Sequence, residues 1–475
     1  MTSHVSFRNS QGLQAQGSLV RLNRQQVVFE VYNPYSIVQL SEVLDQLSIH
    51  QGQRETYSGR AVVTGLLNTG LMLIVSASLV DPWSDLKGLQ PGEVLRSFVK
   101  DFVSDWEAAT ERLEKPFQVC VGNLRNYLQE LSRWLEHWET EAGIQEGQTS
   151  EDRLLQFVGD VDQEIAPRLT QLYGEFEEAS QELPKKYVPY HRAYAQRELH
   201  PLMMSSPFMN RAYNKPLGYA GDYEMVRMML NEPWEGPNTF AKLLNASALR
   251  HEAPAAHRNR IELLKAALER EVRSGLSGEG PALADGRFRI MNLGCGPAVE
   301  IRRMAEQHEL ANRMNVQLVD FNPQTLDHVR QSLLPAVSRL RPEMQIELQQ
   351  RSVHELIQTS AEGPLEQSPQ FDMVYCAGLF DYFRDTTCGF LIELFYSWVK
   401  PGGLVLVTNV TPTHSSVAIM GLVLDWNLEL RSEADMRSLA PQLGSQHTYV
   451  DRTGVNVFLE IRKPLASGAQ PTPSR

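Results

Sequence analysis

Hydrophobic and polar positions change period along the chain, and each change marks a different kind of structure. Up to about residue 85 the apolar residues come in short β-branched and aromatic runs. VVFEVYN at 27–33 and SGRAVVTGLL at 58–67 are two of them, and LMLIVSASL at 71–79 follows the turn signal Asn68-Thr69-Gly70. Between the first two, SIVQLSEVLDQL predicts one short helix. Asp81-Pro82-Trp83 closes the unit, so residues 1–85 read as a small β-barrel or sandwich.

From 92 to 182 the spacing becomes helical. Phe98, Phe102, Trp106, Leu113, Phe117, Cys120, Leu124, Tyr127, Leu131, Leu135 and Trp138 recur at steps of three, four or seven, with a break expected at Lys115-Pro116. After the polar stretch EAGIQEGQTS, a second stripe runs through Leu154, Val158, Val161, Ile165, Leu169, Leu172 and Phe176, and Pro167 is expected to bend it. Such stripes read either as a helical hairpin packed within its own chain or as the interface of a homodimer. Residues 183–273 hold a Pro-, Tyr- and Met-rich segment and then a helix near 239–273. SGLSGEGPALADG reads as a flexible connection, and 464–475 as a disordered tail.

Composition narrows the function classes. A length of 475 residues suggests about three domains. The formal charge of −12 argues against a nucleic-acid partner or a basic membrane-binding face. The four cysteines are scattered, without metal-ligand spacing, so no metal site is expected. The N-terminus lacks signal-peptide character and no apolar run is long enough for a transmembrane segment, which makes the cytoplasm the expected address.

Candidate chemistry begins at Phe288. FRIMNLGCGPAVEIRRMA is a strand, a glycine turn and a helix, in which Gly294 and Gly296 allow a sharp turn and close approach to a ligand. Next, NVQLVDFNP is a strand ending in Asp320, placed to accept hydrogen bonds from ribose hydroxyls. IELQQRSVHEL, FDMVYCAGLFDYF, LVLVTNV after a Lys-Pro-Gly-Gly turn, and GVNVFLEIRK supply further strands, the last expected to be antiparallel. This G-C-G-P-A-V turn lacks the third glycine of a dinucleotide-binding fingerprint, which weighs against a dehydrogenase.

Over 285–463 this series resembles the class I S-adenosylmethionine-dependent methyltransferases, an α/β, Rossmann-like fold with a seven-stranded, mostly parallel sheet. The resemblance implies S-adenosyl-L-methionine as cofactor. It implies contacts from Asn292, Gly294, Cys295 and Gly296 to the amino-acid end, from Asp320 to the ribose, and from Phe321, Ser352 and Val353 around the adenine. Tyr375, Cys376, Ala377 and Gly378 are implied in the floor of the site. Asn292 stands where the family usually has an acidic residue and Ala298 where it usually has a third glycine, so another carboxylate, such as Glu300, is expected to meet the cofactor's ammonium group.

Ahead of this core, NKPLGYAGDYEMV at 214–226 presents Tyr219, Asp222 and Tyr223 on a glycine-bracketed turn, read either as packing or as a lid over the reactants, with residues 183–273 as the covering segment. His414, in TPTHSS, is a further catalytic candidate. Met203, Met204, Phe208, Met209, Met225, Met228 and Met229 read either as core or as the lining of an acyl tunnel. With the β-rich start, this segment makes nearly the whole chain resemble bacterial extracellular factor 3-hydroxypalmitic acid methyl ester biosynthesis proteins, whose first 85 residues are similar to a divergent PilZ-type barrel. That resemblance implies O-methylation of a 3-hydroxy fatty acid as a quorum-sensing signal. Arg21 and Arg24 are one residue too close for the cyclic di-GMP motif of such barrels. Another small metabolite, a protein side chain as acceptor, or a non-catalytic cofactor-binding regulatory protein stay open as alternatives.

Overall fold

The computed structural model describes residues 3–32, 38–51, 54–68, 72–83, 99–100, 103–104, 106–107, 110–144, 149–277, 286–361, 371–413 and 415–465. Most of the predicted flexible stretch SGLSGEGPALADG (274–286) and most of the predicted tail lie outside them, as does His414, while Ser274–Ser277, expected to be flexible, are helical.

Six antiparallel strands, β1 (His4–Arg8), β2 (Gln14–Leu22), β3 (Gln26–Tyr32), β4 (Val43–Gln51), β5 (Arg54–Asn68) and β6 (Met72–Leu79), close into a barrel in the order β1-β2-β3-β6-β5-β4. Val5, Phe7, Val27, Phe29, Leu47, Ile49, Tyr57, Val63 and Val75 fill it. The short helix expected from SIVQLSEVLDQL is absent from its described part, where β4 stands instead. The cause is a bulge: the register with β5 shifts between Leu44 and Leu47, and Gln46 adopts φ 52°. The extra residue sets two inward leucines three positions apart, which imitates helical spacing.

The middle of the chain is helical. Helix α1 (Lys115–Glu141) begins at the expected break, with Pro116 in its first turn, where a missing N–H costs nothing. Helix α2 (Glu151–Gln181) continues through Pro167. Helices α3 (Val188–Met203), α4 (Pro207–Asn214), α5 (Tyr223–Leu230) and α6 (Thr239–Arg250) follow, and all six share one core that also takes in Ile419–Leu424. The stripes of α1 and α2 thus bury Leu124, Leu131, Val158, Leu169 and Phe176 within the chain. The single helix expected over 239–273 is two. α6 ends at Arg250, and α7 (Glu252–Ser277) restarts after His251. Pro254 explains the break, since its ring would clash with the carbonyl four residues back in a continuous helix.

The third unit is a seven-stranded sheet in the order β12-β13-β11-β10-β7-β8-β9. Its parallel strands are β7 (Phe288–Leu293), β8 (Met314–Asp320), β9 (Gln345–Gln350), β10 (Phe371–Cys376) and β11 (Val399–Val410). β13 (Asn456–Arg462) runs antiparallel to β11, and β12 (Ser445–Val450) pairs antiparallel with β13 and so points the same way as those five. Helices α8 (Val299–Gln307), α9 (Pro323–Leu340), α10 (Val353–Ala361) and α11 (Asp385–Trp398) lie between successive strands. Two hydrophobic cores form, with Tyr375 in one and Cys376 in the other. This is the Rossmann-like architecture expected for 285–463; β12, a polar run, escaped the sequence pattern, and the strand expected over 346–356 ends at Gln350, with helix α10 taking up its last residues from Val353.

Candidate active site

At the carboxyl end of β7 the chain turns through Gly294 (φ 69°) and Gly296 (φ 52°), with the N–H groups of Gly294 and Cys295 donating to the Val319 carbonyl at 2.8 and 3.1 Å. Both glycines hold the left-handed conformation that residues with a Cβ rarely adopt. A Cβ on Gly296 would meet nothing within 4 Å, so the turn faces open space. Ala298 is also left-handed (φ 49°, ψ 46°), which explains why a third glycine would suit that position.

Asp320 ends β8 beside this turn. Its carboxylate accepts from the Gly296 N–H at 3.1 Å and the Asn322 N–H at 2.9 Å, each oxygen keeping a lone pair for another donor. Burial raises its pKa to about 6 against the pull of these N–H groups. Behind the turn, the Tyr375 hydroxyl donates to Glu300 at 2.7 Å, and the Asn292 amide donates to both Glu300 (3.2 Å) and Tyr375 (3.0 Å). The Asn292 Oδ1 is buried without a partner among the described residues. The carboxyl group missing at 292 is therefore present beside it, across the glycine turn, on Glu300, whose pKa burial raises.

Asn292, Gly294, Cys295, Gly296, Asp320, Phe321, Val353, Tyr375 and Ala377 line one cavity, together with Glu300. Ser352 and Cys376 are not in its wall. Ser352 begins α10, where its Oγ accepts from the Glu355 N–H at 3.1 Å and the Glu355 carboxylate accepts from the Ser352 N–H at 2.7 Å, a reciprocal cap. Cys376 points to the opposite face of the sheet because successive strand residues alternate, so Tyr375 and Ala377 face the cavity instead.

The 214–226 turn covers this cavity. Tyr219 and Tyr223 line it, the Tyr219 ring lying 5.1 Å from Phe321 and the Tyr223 ring stacking on His328 at 4.7 Å. Asp222 is turned away from the cavity. It caps α5 through the N–H groups of Glu224 and Met225, both at 3.0 Å, and pairs with Arg211 at 2.8 Å. The first barrel supplies more of the wall: Ser10, Gln39, Leu40 and Glu42 all reach it. Glu42 accepts from Ser10 N–H (2.9 Å), Ser10 Oγ (2.6 Å) and Gln39 N–H (2.8 Å), and burial pushes its pKa up to about 7. The Val43 N–H donates to Gly218 (2.9 Å), and Ser41 Oγ donates to the Asn427 carbonyl (2.8 Å), which holds barrel and core together.

A second, more apolar cavity adjoins the first. Phe208, Met209, Val226, Met229, Ile419, Met420, Leu424 and Trp426 line it, and Gly221, Val226, His257, Arg260, Gly378 and Tyr382 belong to both. Of the methionines considered for a tunnel, Met209 and Met229 are in this wall with Phe208. Met203, Met225 and Met228 lie in the helical core, and Met204 packs against that core. Sequence reasoning missed Arg260, His257 and Tyr382, which lie outside the glycine motif. It also missed Glu42, which a helix over that segment would have left on a surface.

Residues 290–403 match the family model described as a methyltransferase domain. No curated protein sequence matches the chain. Among solved structures, a possible exported protein from Bordetella parapertussis is similar at 19% identity, with a TM-score of 0.41, over 54% of this chain and 86% of that one. Magnesium protoporphyrin IX methyltransferase from Synechocystis with bound SAH is 13% identical, with a TM-score of 0.35, over 54% and 98%. An O-methyltransferase family protein from Burkholderia thailandensis is 14% identical, with a TM-score of 0.33, over 60% and 75%. Likenesses this distant add nothing to the reading of the site. With the domain match, the chain carries a Rossmann-like methyltransferase core whose cofactor is S-adenosyl-L-methionine.

Proposed function

We propose that the protein is a carboxyl O-methyltransferase that converts a 3-hydroxy fatty acid to its methyl ester. The observation that carries this reading is the apolar cavity opening directly beside the cofactor cavity. The residues present fit the cofactor: the orphaned Asn292 Oδ1 and the Glu300 carboxylate suit an ammonium group, and Asp320 has lone pairs for ribose hydroxyls. Gly294 to Gly296 would hold the amino-acid end by backbone, with Phe321 and Val353 beside the adenine. When bound, S-adenosyl-L-methionine supplies a methyl group on a sulfonium, open to in-line attack.

The chain's part is then alignment and exclusion of water. Met209, Met229, Phe208 and Ile419 offer an adaptable apolar surface to an acyl chain. Tyr219 and the barrel residues Ser10 and Glu42 cover the opposite side. A fatty carboxylate is ionised at neutral pH, so this acceptor needs no general base. A divergent PilZ-type origin for the barrel fits its role here as a cover.

His251 supports a second reading. It lines the apolar cavity and burial lowers its pKa, so a neutral imidazole is available as a base for a hydroxyl acceptor. Incubating the protein with S-adenosyl-L-methionine and a panel of 3-hydroxy fatty acids and matched alcohols, then separating products by mass spectrometry, decides between them. Methyl esters are expected. Ethers without esters would replace the carboxyl reading by the hydroxyl one, and cofactor binding without any product would leave a regulatory binder.

A further inference from the structure

Arg260 is set between the two cavities and lines both. Its guanidinium has no ion-pair partner among the described residues. Asp381 and Glu300 influence it only from beyond contact range. One hydrogen bond is formed, from Nη2 to His257 Nδ1 at 2.8 Å. Arginine has only donors, so His257 Nδ1 is the acceptor, which places the imidazole proton on Nε2 and leaves the ring neutral. Burial and the two flanking arginines lower the His257 pKa and keep it so.

The space for this cation is made deliberately. A Cβ at Gly378 would lie 2.8 Å from Arg260 Nη2 and 3.0 Å from Nη1, and Gly378 holds φ 92° two residues past the end of β10. A glycine there admits the guanidinium to the junction of the cavities. Arg260 is half-buried in the cavity wall, where a cation without an ion-pair partner is left to meet an anion, and a planar fork suits a carboxylate held bidentately.

We propose that Arg260, positioned by His257, is a carboxylate-binding site at the junction of the cofactor and acceptor cavities. Two carboxylates can reach such a place: that of the acyl acceptor and that of the cofactor's methionyl end. The acceptor source rests on the function proposed above, and the cofactor source does not. In the first case Arg260 fixes the carboxylate oxygen that attacks the methyl group. In the second it orients the sulfonium through the amino-acid chain.

The test uses the full chain, with Arg260→Gln and the charge-conserving Arg260→Lys, and titration calorimetry with three probes: S-adenosylhomocysteine, 5′-methylthioadenosine and 3-hydroxypalmitate. Methylthioadenosine lacks the carboxylate and serves as control. If the acceptor is the source, Arg260→Gln weakens 3-hydroxypalmitate at least tenfold and leaves both nucleosides unchanged. If the cofactor is the source, it weakens S-adenosylhomocysteine at least tenfold and spares methylthioadenosine. Arg260→Lys should recover part of either loss, while thermal unfolding reports whether the fold survives. Equal weakening of both nucleosides, or no change for any probe, overturns the proposal. Wild-type protein that forms no ester, together with selective loss of S-adenosylhomocysteine affinity in Arg260→Gln, would overturn the acceptor reading while upholding the carboxylate site.

Discussion

The two sides of the cofactor cavity are built differently. The inner side comes from one stretch, Asn292 to Ala377, and is held by strand ends, two left-handed glycines and a carboxylate bonded to backbone N–H groups. The outer side is gathered from Ser10, Glu42, Tyr219 and Tyr382, and it is held by a few hydrogen bonds between units, such as Val43 to Gly218 and the reciprocal pair between Ser41 and Asn427. Chemical groups on the inner side have fixed places relative to each other. On the outer side, placement depends on how units dock. Damage inside should therefore abolish binding, and damage outside should loosen it.

The hardest test of that contrast is Asp222, which belongs to the outer side by position yet is a buried structural anchor. Asp222→Ala should cost about 3 kcal/mol of stability, because Arg211 loses a buried partner and α5 its cap, with denaturant unfolding as the measurement. A stable variant with lost turnover would return Asp222 to the chemistry. Next, Asp320→Ala should weaken S-adenosyl-L-methionine about 100-fold in calorimetry, since hydrogen bonds to a charged group contribute about 1.5–3 kcal/mol. A smaller effect would mean that the inner side tolerates loss as the outer side does.

Ser41→Ala should raise the cofactor KM only about fivefold, the loss of both hydrogen bonds with Asn427 at about 0.5 kcal/mol net each, with kcat little changed. An effect as large as that of Asp320→Ala would erase the distinction. Ala298→Gly should stabilise the protein by up to about 1 kcal/mol, since glycine accepts the left-handed turn without strain.

Proton uptake offers the mildest probe. The Asp320 carboxyl has its pKa raised from 3.8 to about 6, so between these values the folded protein holds a proton that the unfolded chain has lost. Its ionisation therefore removes stability as pH rises through that window. Ribose hydroxyls would favour the carboxylate and draw the pKa down, so binding near pH 6 should release up to about half a proton. Calorimetry in buffers of different ionisation enthalpy measures this, and a pH-independent result would show that Asp320 does not meet the ribose.

The same contrast decides how much the sequence could reveal. Gly294, Gly296 and Asp320 are legible because the turn and the strand end impose fixed spacing on neighbouring elements. The helical stripes were equally legible, since burial against one core repeats every three or four residues. Arg260 gave no signal, because an arginine on an amphipathic helix looks like a solvated residue until Gly378 is seen to make room for it. Glu42 was hidden by the bulge at Gln46, which turned a strand's alternation into a helix-like spacing. The family resemblance pointed to Ser352, but its place is set by the Glu355 cap, which competes for the same hydroxyl.

The hydrogen bond from Ser41 to Asn427 spans 386 residues of chain. At about 5–20 residues per second, a ribosome exposes the second partner roughly 20–80 s after the first. During that wait the barrel stands without its dock, while Glu42 already has its donors, Ser10 and Gln39, within the same module. Closure of the six strands leaves no unpaired edge, so the waiting module offers no template for wrong strand pairing. The closed form that later covers the cofactor is also what lets the nascent chain arrive intact at the moment of docking.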